Sequence, residues 1–429
     1  MSLTPTSRVI VSWRSSPEEH HATSHPAVDC LRLLAAAEVG YQGRRLGVAS
    51  RPGDRRVMDK TTEDPKRVLI ICQLDEYANG LVPVEIERFL RGRGHEVRLA
   101  NTHYLGRASD APGSLRTKLP PLELKRFALY AVEAASVLFT RRWNFGRHRL
   151  SYHMLVADWR LRRRILGSSL ALDDFDLIIC VHPQDAGVLT VSTSACTLYA
   201  CPTPWADELY FEDRLTKRQH QKLRRLETEL FESVDRLAFW WESYARYALD
   251  YYGISGRNLM TLNIGCNPVA QRANFGNPPR VVYLGSLSSK FVDLPLLARL
   301  AKVYPHIDVY GGPAPDPALE LNYLGWAPPS VLKQYQIGLI TCTQDQLRRN
   351  GFSAKHLEYL AYGLPVLVPV WRRHIDLLRG SVPYDERTFA SVIGTLGNEE
   401  EWRRVSDEAY AQAQRLTWNK TLRPLNALL

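Results

Sequence analysis

The stretch Asn350-Gly-Phe-Ser-Ala-Lys-His-Leu-Glu-Tyr-Leu-Ala-Tyr-Gly-Leu-Pro365 runs directly into Val366-Leu-Val-Pro-Val370. Ser353 suits an N-cap, Leu357, Leu360 and Ala361 make an apolar stripe, and Gly363 with Pro365 supplies a stop, so the text reads as a short helix feeding a buried strand. Lys355 falls in the first turn, where a cation opposes the helix dipole; an anionic ligand at that end removes the conflict. Glu358, three residues on, shares its face. A Lys for phosphate and a carboxylate for a ribose diol suit a nucleotide diphosphate lying across the helix start. An exposed Lys–Glu pair on an ordinary amphipathic helix has the same spacing, so spacing alone leaves both readings open.

Working outward, strand-like and helix-like segments alternate from Lys66 onward, the pattern of parallel sheets with crossover helices. The first half has apolar runs at Val68–Cys72, Val97–Ala100, Leu177–Val181, Thr197–Ala200, Leu237–Trp240 and Leu259–Leu262. Helical patterns cover Val84–Arg93, Lys217–Glu232 and Tyr244–Tyr252. After the polar break Asn274-Phe-Gly-Asn-Pro-Pro279 the alternation restarts at Val281–Leu284, Ile307–Tyr310, Ile337–Thr341 and Val366–Val370. The expected fold class is α/β, two doubly wound domains with ligands beyond the carboxyl ends of the strands. The expected boundaries are a disordered extension over 1–62, a first domain over 63–270, a second over 271–410, and a C-terminal helix over 411–429 packing back on the first.

The quoted helix resembles the nucleotide-sugar motif of group-1 glycosyltransferases of the GT-B fold, in which a Gly-Phe-Gly loop enters a helix reading Leu-Glu-(Tyr/Ala)-x-Ala-x-Gly-x-Pro-Val. Lys355-His-Leu-Glu-Tyr-Leu-Ala361 is especially similar to a subset of bacterial polysaccharide transferases. Many family members carry two glutamates eight apart; Glu358 matches the second, the one on the donor ribose, whereas Asn350 replaces the first. Val281-Val-Tyr-Leu-Gly285-Ser-Leu-Ser-Ser-Lys290 resembles the first strand and loop of the donor domain. The usual Arg after that glycine is Ser286, which implies that Lys290 carries more of the phosphate charge. Gly311-Gly312 and Leu324-Gly325-Trp326 match later landmarks in order, although a lone Gly-Gly after a strand is most often a turn.

In the first domain, Cys72-Gln-Leu-Asp-Glu-Tyr-Ala-Asn79-Gly80 and Arg91-Gly-Arg-Gly94-His95-Glu-Val97 are similar to the opening of the acceptor domain. Asn79 and Gly80 would then border the cleft, unless they form an ordinary strand-to-helix turn. Glycosyl transfer needs a base for the acceptor hydroxyl and cations for the leaving diphosphate. Asp207, after Leu198-Tyr-Ala-Cys-Pro-Thr-Pro-Trp205, is the preferred base and His182, after Leu177-Ile-Ile-Cys-Val181, the second choice. A loop Asp also commonly caps the following helix.

Composition sets the outer limits. The chain has 429 residues, with 45% hydrophobic and 23% charged, so two cores are affordable and a fibrous or wholly disordered protein is excluded. Seven scattered cysteines without a C-x-x-C pair argue against a disulfide framework or structural zinc and fit a reducing, cytoplasmic compartment. The net charge of +10 asks for an anionic partner. Between Pro121 and Arg164, ten basic residues face three acids, interleaved with Phe127, Tyr130, Phe139, Trp143, Phe145 and Trp159. That composition suits an anionic membrane surface, here the inner face, and suits a solvated basic insertion as well. No nucleic-acid recognition motif accompanies the charge.

The sequence therefore points to a hexosyltransferase-like enzyme moving a sugar from a nucleotide-diphosphate sugar to a hydroxyl acceptor, lipid-linked or a polysaccharide precursor. No metal or other cofactor is expected, because Lys290, Lys355 and the helix start supply the positive charge. A nucleotide-sugar epimerase of the same fold, or a non-catalytic sugar-nucleotide-binding partner subunit, would show the same motifs. Met58 stands just before the ordered text begins, and a native chain starting there is the expected product; the intact mass of protein purified from its source checks this, and a chain beginning at Met1 overturns it.

Overall fold

The computed structural model describes residues 64–73, 78–102, 152–287, 290–372 and 378–429. Residues 63–429 form one unit, and the extension expected over 1–62 lies outside the described residues. The apolar runs of the first half become β1 (Arg67–Cys72), β2 (Glu96–Asn101), β3 (Leu177–Cys180), β4 (Cys196–Cys201), β5 (Arg236–Phe239) and β6 (Leu259–Thr261). They form a six-stranded sheet in the order β2-β1-β3-β4-β5-β6. The second half contributes β7 (Val281–Leu284), β8 (Ile307–Tyr310), β9 (Asn322–Tyr323), β10 (Ile337–Leu339), β11 (Val366–Pro369) and β12 (Ser381–Tyr384), ordered β12-β11-β10-β7-β8-β9. Every strand pair is parallel. A parallel sheet is covered on both faces, which is why its central strands read as unbroken apolar runs: Val68 to Ile71 and Val281 to Tyr283 are wholly buried.

The covering helices are α1 (Ala78–Arg91), α2 (Tyr152–Ser169), α3 (Trp205–Phe211), α4 (Lys217–Ser233), α5 (Glu242–Tyr247), α6 (Leu294–Val303), α7 (Gln346–Asn350), α8 (Ala354–Ala361), α9 (Phe389–Leu396), α10 (Glu399–Arg415) and α11 (Trp418–Thr421). Each sheet has one place where the strand order reverses, between β1 and β3 and between β7 and β10. Reversal sends the flanking connections to opposite sides and opens a crevice at the carboxyl ends of the two strands. The fold thereby places two candidate sites before any side chain is considered.

Three elements depart from expectation. β9 and β12 gave no apolar run: β9 has two residues and β12 carries Pro383, features that suit sheet edges, where few ladder bonds are needed. α1 begins at Ala78, so Asn79 and Gly80, expected in a loop, lie in the first turn of a helix, where backbone N–H groups lack helical partners in any case. At the carboxyl end, Cys266 N–H donates to Leu416 O at 2.9 Å, and Arg93 reaches Asn419 Oδ1 at 3.4 Å. Trp418 is buried there. The principal core is continuous between the sheets, joining Val68 and Ile179 of the first to Leu357, Tyr359 and Trp402 of the second.

A buried carboxylate holds α3 in place. Glu227 of α4 accepts the backbone N–H groups of Trp205 at 2.5 Å and Ala206 at 3.0 Å, and the hydroxyl of Tyr252 at 2.7 Å. Burial pushes its pKa up from 4.5 to about 8, against the pull of those hydrogen bonds. The folded chain thus keeps a proton that the unfolded chain releases, so this group's stabilisation is full below about pH 4.5 and is lost as pH rises through about 8. Denaturation across that window is expected to show a falling midpoint, with Glu227→Gln flattening the fall. Gly380, at φ +83°, packs its Cα face directly on Ala409 of α10, where a Cβ has no room. Gly380→Ala is expected to cost on the order of 3 kcal/mol by the same measurement.

Candidate functional site

The crevice in the second sheet is built by glycines and one lysine. Gly285 follows β7 and donates its N–H to Tyr310 O at 3.0 Å, while Gly311, after β8, donates to Gly325 O at 2.8 Å. Gly311 has φ +102°, and a Cβ on it would lie 2.7 Å from Gly285 O. A Cβ on Gly285 would lie 2.6 Å from Lys355 Nζ. Only residues without side chains let the two loops and the lysine of α8 converge here. Gly312 continues the same loop beside Leu287 N. Lys355 Nζ sits 4.1 Å from the centroid of the Tyr283 ring and donates to its hydroxyl at 2.8 Å; that hydroxyl donates in turn to Ser286 O at 3.3 Å. Gly285, Ser286, Gly311, Gly312 and Lys355 therefore share one place.

Ser353 occupies the N-cap position of α8, yet its side chain makes no capping bond. Glu358 is half-buried and forms no ion pair with Lys355 among the described residues, so the exposed-pair reading of the spacing does not describe this helix. Burial raises the pKa of Glu358, with Lys355 opposing the rise. His356, between them, is a core residue: it is wholly buried, its Nε2 lies 2.9 Å from Ser381 Oγ, and burial beside Arg372 lowers its pKa to about 3. Lys290 stands elsewhere. Its ammonium is bound to Asp213 in the turn after α3, in the first domain.

The crevice in the first sheet holds a cavity of about 270 Å³ at the ends of β1, β3, β4 and β5. Trp205, Trp240 and Pro202 supply apolar walls, and Gln73, His182 and Glu208 supply polar ones. His182 Nδ1 accepts the N–H of Gln184 at 3.3 Å. Asp207 is not in this cavity. It is buried, with Oδ1 bound to His220 Nε2 and Oδ2 accepting the Tyr247 hydroxyl at 2.5 Å. Successive helical residues are turned by about 100°. Asp207 thus faces α4 and α5, whereas Glu208 faces the cavity. Asp207 has both carboxylate oxygens engaged in the core, whereas its neighbour borders the cavity. Burial raises the pKa of Glu208, against the nearby charge of Arg348. The side chains of Asn79 and Gly80 lie outside the described residues.

Sequence reasoning passed over Arg348. Its guanidinium stacks 3.3 Å from the Phe291 ring centroid and lies 3.7 Å from Glu208, so it spans the two domains. The loop after it is gripped from the first domain as well. Ser243 Oγ donates to Asn350 O, Trp241 stacks on Phe352 at 4.0 Å and 14°, and Gly351 is pressed on the Tyr244 hydroxyl. Asn350 itself donates to Gln346 O at 2.9 Å and closes α7. In the sequence it stands where the resembled motif carries its first glutamate.

Chemically, the second crevice offers a cation, a hydroxyl and close-packed backbone at a helix start, a set that holds a diphosphate. The first offers an imidazole and a carboxylate of raised pKa between aromatic walls. No group of three or more His, Cys, Asp or Glu residues among those described could hold a metal ion. Asp174-Phe175-Asp176 has the Asp-x-Asp form, but it precedes β3, at the end of the sheet opposite His182, and Asp176 Oδ2 accepts Arg67 N–H at 2.7 Å.

No protein-family model matches the chain, and no curated protein matches its sequence. Solved structures do match. Sucrose-phosphate synthase from Thermosynechococcus elongatus aligns with a TM-score of 0.61 at 11% identity, over 85% of this chain and 98% of that one. TarM aligns at 0.58 and 10% identity with the same coverage. HepE of Anabaena, in complexes with UDP-glucose and with UDP and glucose, aligns at 0.53 and 13% identity over 84% and 98%. At such identities the likeness concerns architecture, and in architecture it is plain: the chain has the GT-B fold, two Rossmann-like parallel sheets of six strands each.

Proposed function

We propose that the protein is a glycosyltransferase that moves a sugar from a nucleotide-diphosphate sugar to a hydroxyl acceptor. The observation that carries this reading is the lodging of Lys355 against Gly285 at one strand-order reversal, with the His182–Glu208 cavity at the other. HepE, of the same fold, is recorded with UDP-glucose, which supports a nucleotide sugar as donor.

On this reading the acceptor oxygen bonds to the anomeric carbon as the bond from that carbon to the diphosphate breaks. The hydroxyl proton passes to Glu208 or to His182, both of which line the cavity. Glu208 replaces Asp207 as the preferred base, since its raised pKa brings its basicity closer to that of the group it must deprotonate. The negative charge that develops on the leaving diphosphate is met by Lys355 and the first turn of α8, so the reading requires no metal. Glu358 takes the ribose of the donor. The finer features belong to the same proposal: a lipid-linked or polysaccharide-precursor acceptor, and a peripheral position on the inner face of an anionic membrane through residues 121–164. Of that segment 121–151 lies outside the described residues, and no helix among the described residues is long and apolar enough to cross a membrane.

Thermal melting with UDP, GDP and dTDP is expected to show one of the three raising the midpoint, as a ligand of the folded state must. Lys355→Ala and Glu358→Ala are each expected to lower turnover by about a hundredfold or more while the unliganded melting curve is retained. Undiminished turnover in both variants overturns the site, and interconversion of sugar nucleotides without an acceptor overturns the reaction.

A further inference from the structure

A further cavity lies away from both crevices. It is a groove of about 730 Å³ between α2 and α4, and it shares no lining residue with the His182 cavity. One wall carries Arg160, Arg163 and Arg164; the floor and the other wall carry Val191, Leu226 and Leu230. The arginine positions i, i+3 and i+4 put all three on one face of α2. Arg162, between them, points the opposite way and fixes the rotation of the helix: it is buried, with Asp158 at 3.0 Å and Asp185 at 2.6 Å. None of the three groove arginines forms an ion pair among the described residues, although Arg163 Nη2 donates to Thr190 O at 3.3 Å. Glu229 is the one acid on the lining.

Like charges one helical turn apart repel, and they do so here beside apolar surface that water hydrates poorly. An anion carrying an apolar portion resolves both conditions at once. Guanidinium groups bind phosphate oxygens in pairs, and the Val191–Leu226–Leu230 surface accepts hydrocarbon. The aromatic residue of the lining, Trp159, is buried at 8% exposure, so no ring face is offered on which bases could stack, which disfavours a nucleic acid. We infer that this groove seats the phosphate headgroup of an anionic membrane lipid, and with it the surface of α2 that meets the bilayer. The inference rests on the membrane-surface part of the proposed function and assigns it a residue-level site.

The test is sedimentation of the full chain with vesicles of phosphatidylcholine alone and of phosphatidylcholine with phosphatidylglycerol. Wild type is expected to bind only the anionic vesicles. The triple variant Arg160→Gln, Arg163→Gln, Arg164→Gln is expected to bind them about a hundredfold more weakly, at roughly a factor of five for each cation lost near the surface. A control triple variant, Lys217→Gln, Arg218→Gln, Arg225→Gln, removes equal charge from exposed positions of α4 outside the groove and is expected to lose far less. Circular-dichroism melting confirms that both variants fold. Equal loss in the two variants, or no loss in the groove variant, overturns the groove while the membrane reading stands. Wild type that binds neither vesicle overturns both. Displacement of wild type from vesicles by single-stranded RNA, with RNA binding lost only in the groove variant, overturns the lipid in favour of a nucleic acid.

Discussion

The helix that carries Lys355 hangs from a loop that the other domain holds. Ser243 fastens the carbonyl of Asn350, Trp241 lies flat on Phe352, and Gly351 is pressed so closely on Tyr244 that no side chain fits between them. α8 starts immediately afterwards, so the position of Lys355 over Tyr283 is set by contacts from both sheets. Arg372 adds a fourth restraint by donating to Gly351 O at 2.5 Å. Around this clamp, Arg348 with Glu208 and Lys290 with Asp213 tie the same two bodies together at the rim. Exposed ion pairs of the second kind contribute little alone, whereas the stacked and buried contacts carry the registration.

Much of the architecture was legible because burial on two sides forces a strong signal. A central parallel strand is covered on both faces, and ten of the twelve described strands announced themselves by largely apolar runs, including β2 and β6 at the edges of the first sheet. β9 and β12 did not, since an edge strand of two residues or one containing Pro383 has no such demand placed on it. Lys355 was legible for a similar reason: a cation in the first turn of a well-bounded helix is locally unfavourable and so invites a cause. Residues whose meaning depends on what lies across space were not legible. Asp207 and Glu208 are equivalent in sequence, and the rotation of α3 against α4 decides which one enters the core. Lys290 looks like a phosphate ligand until the partner Asp213, 77 residues earlier, is brought beside it. Arg348 has no local signature, because both of its partners, Phe291 and Glu208, come from distant segments.

The two crevices are supported differently. At the Lys355 crevice, close backbone packing of Gly285 and Gly311 leaves little freedom for rearrangement. In the first crevice the loop that bears His182 is anchored by Asp185, which accepts from Thr102 Oγ1 at 2.5 Å and pairs with buried Arg162 of α2. Gln73 Nε2 joins the same carboxylate at 3.4 Å. A fully buried carboxylate is tolerable when its oxygens are so occupied. The orientation of α2, with its arginine face outward, is thus mechanically linked to the loop at the mouth of the first crevice.

The core that runs without interruption from Val68 through Leu357 to Trp402 has a consequence for how the molecule comes apart. Two Rossmann-like halves joined only by a linker would melt as separate calorimetric units. With shared apolar burial and a common clamp, loss of one half exposes the inner face of the other, so cooperativity extends across the pair. A ligand seated beside Lys355 is therefore expected to raise protection against hydrogen exchange near His182 as well.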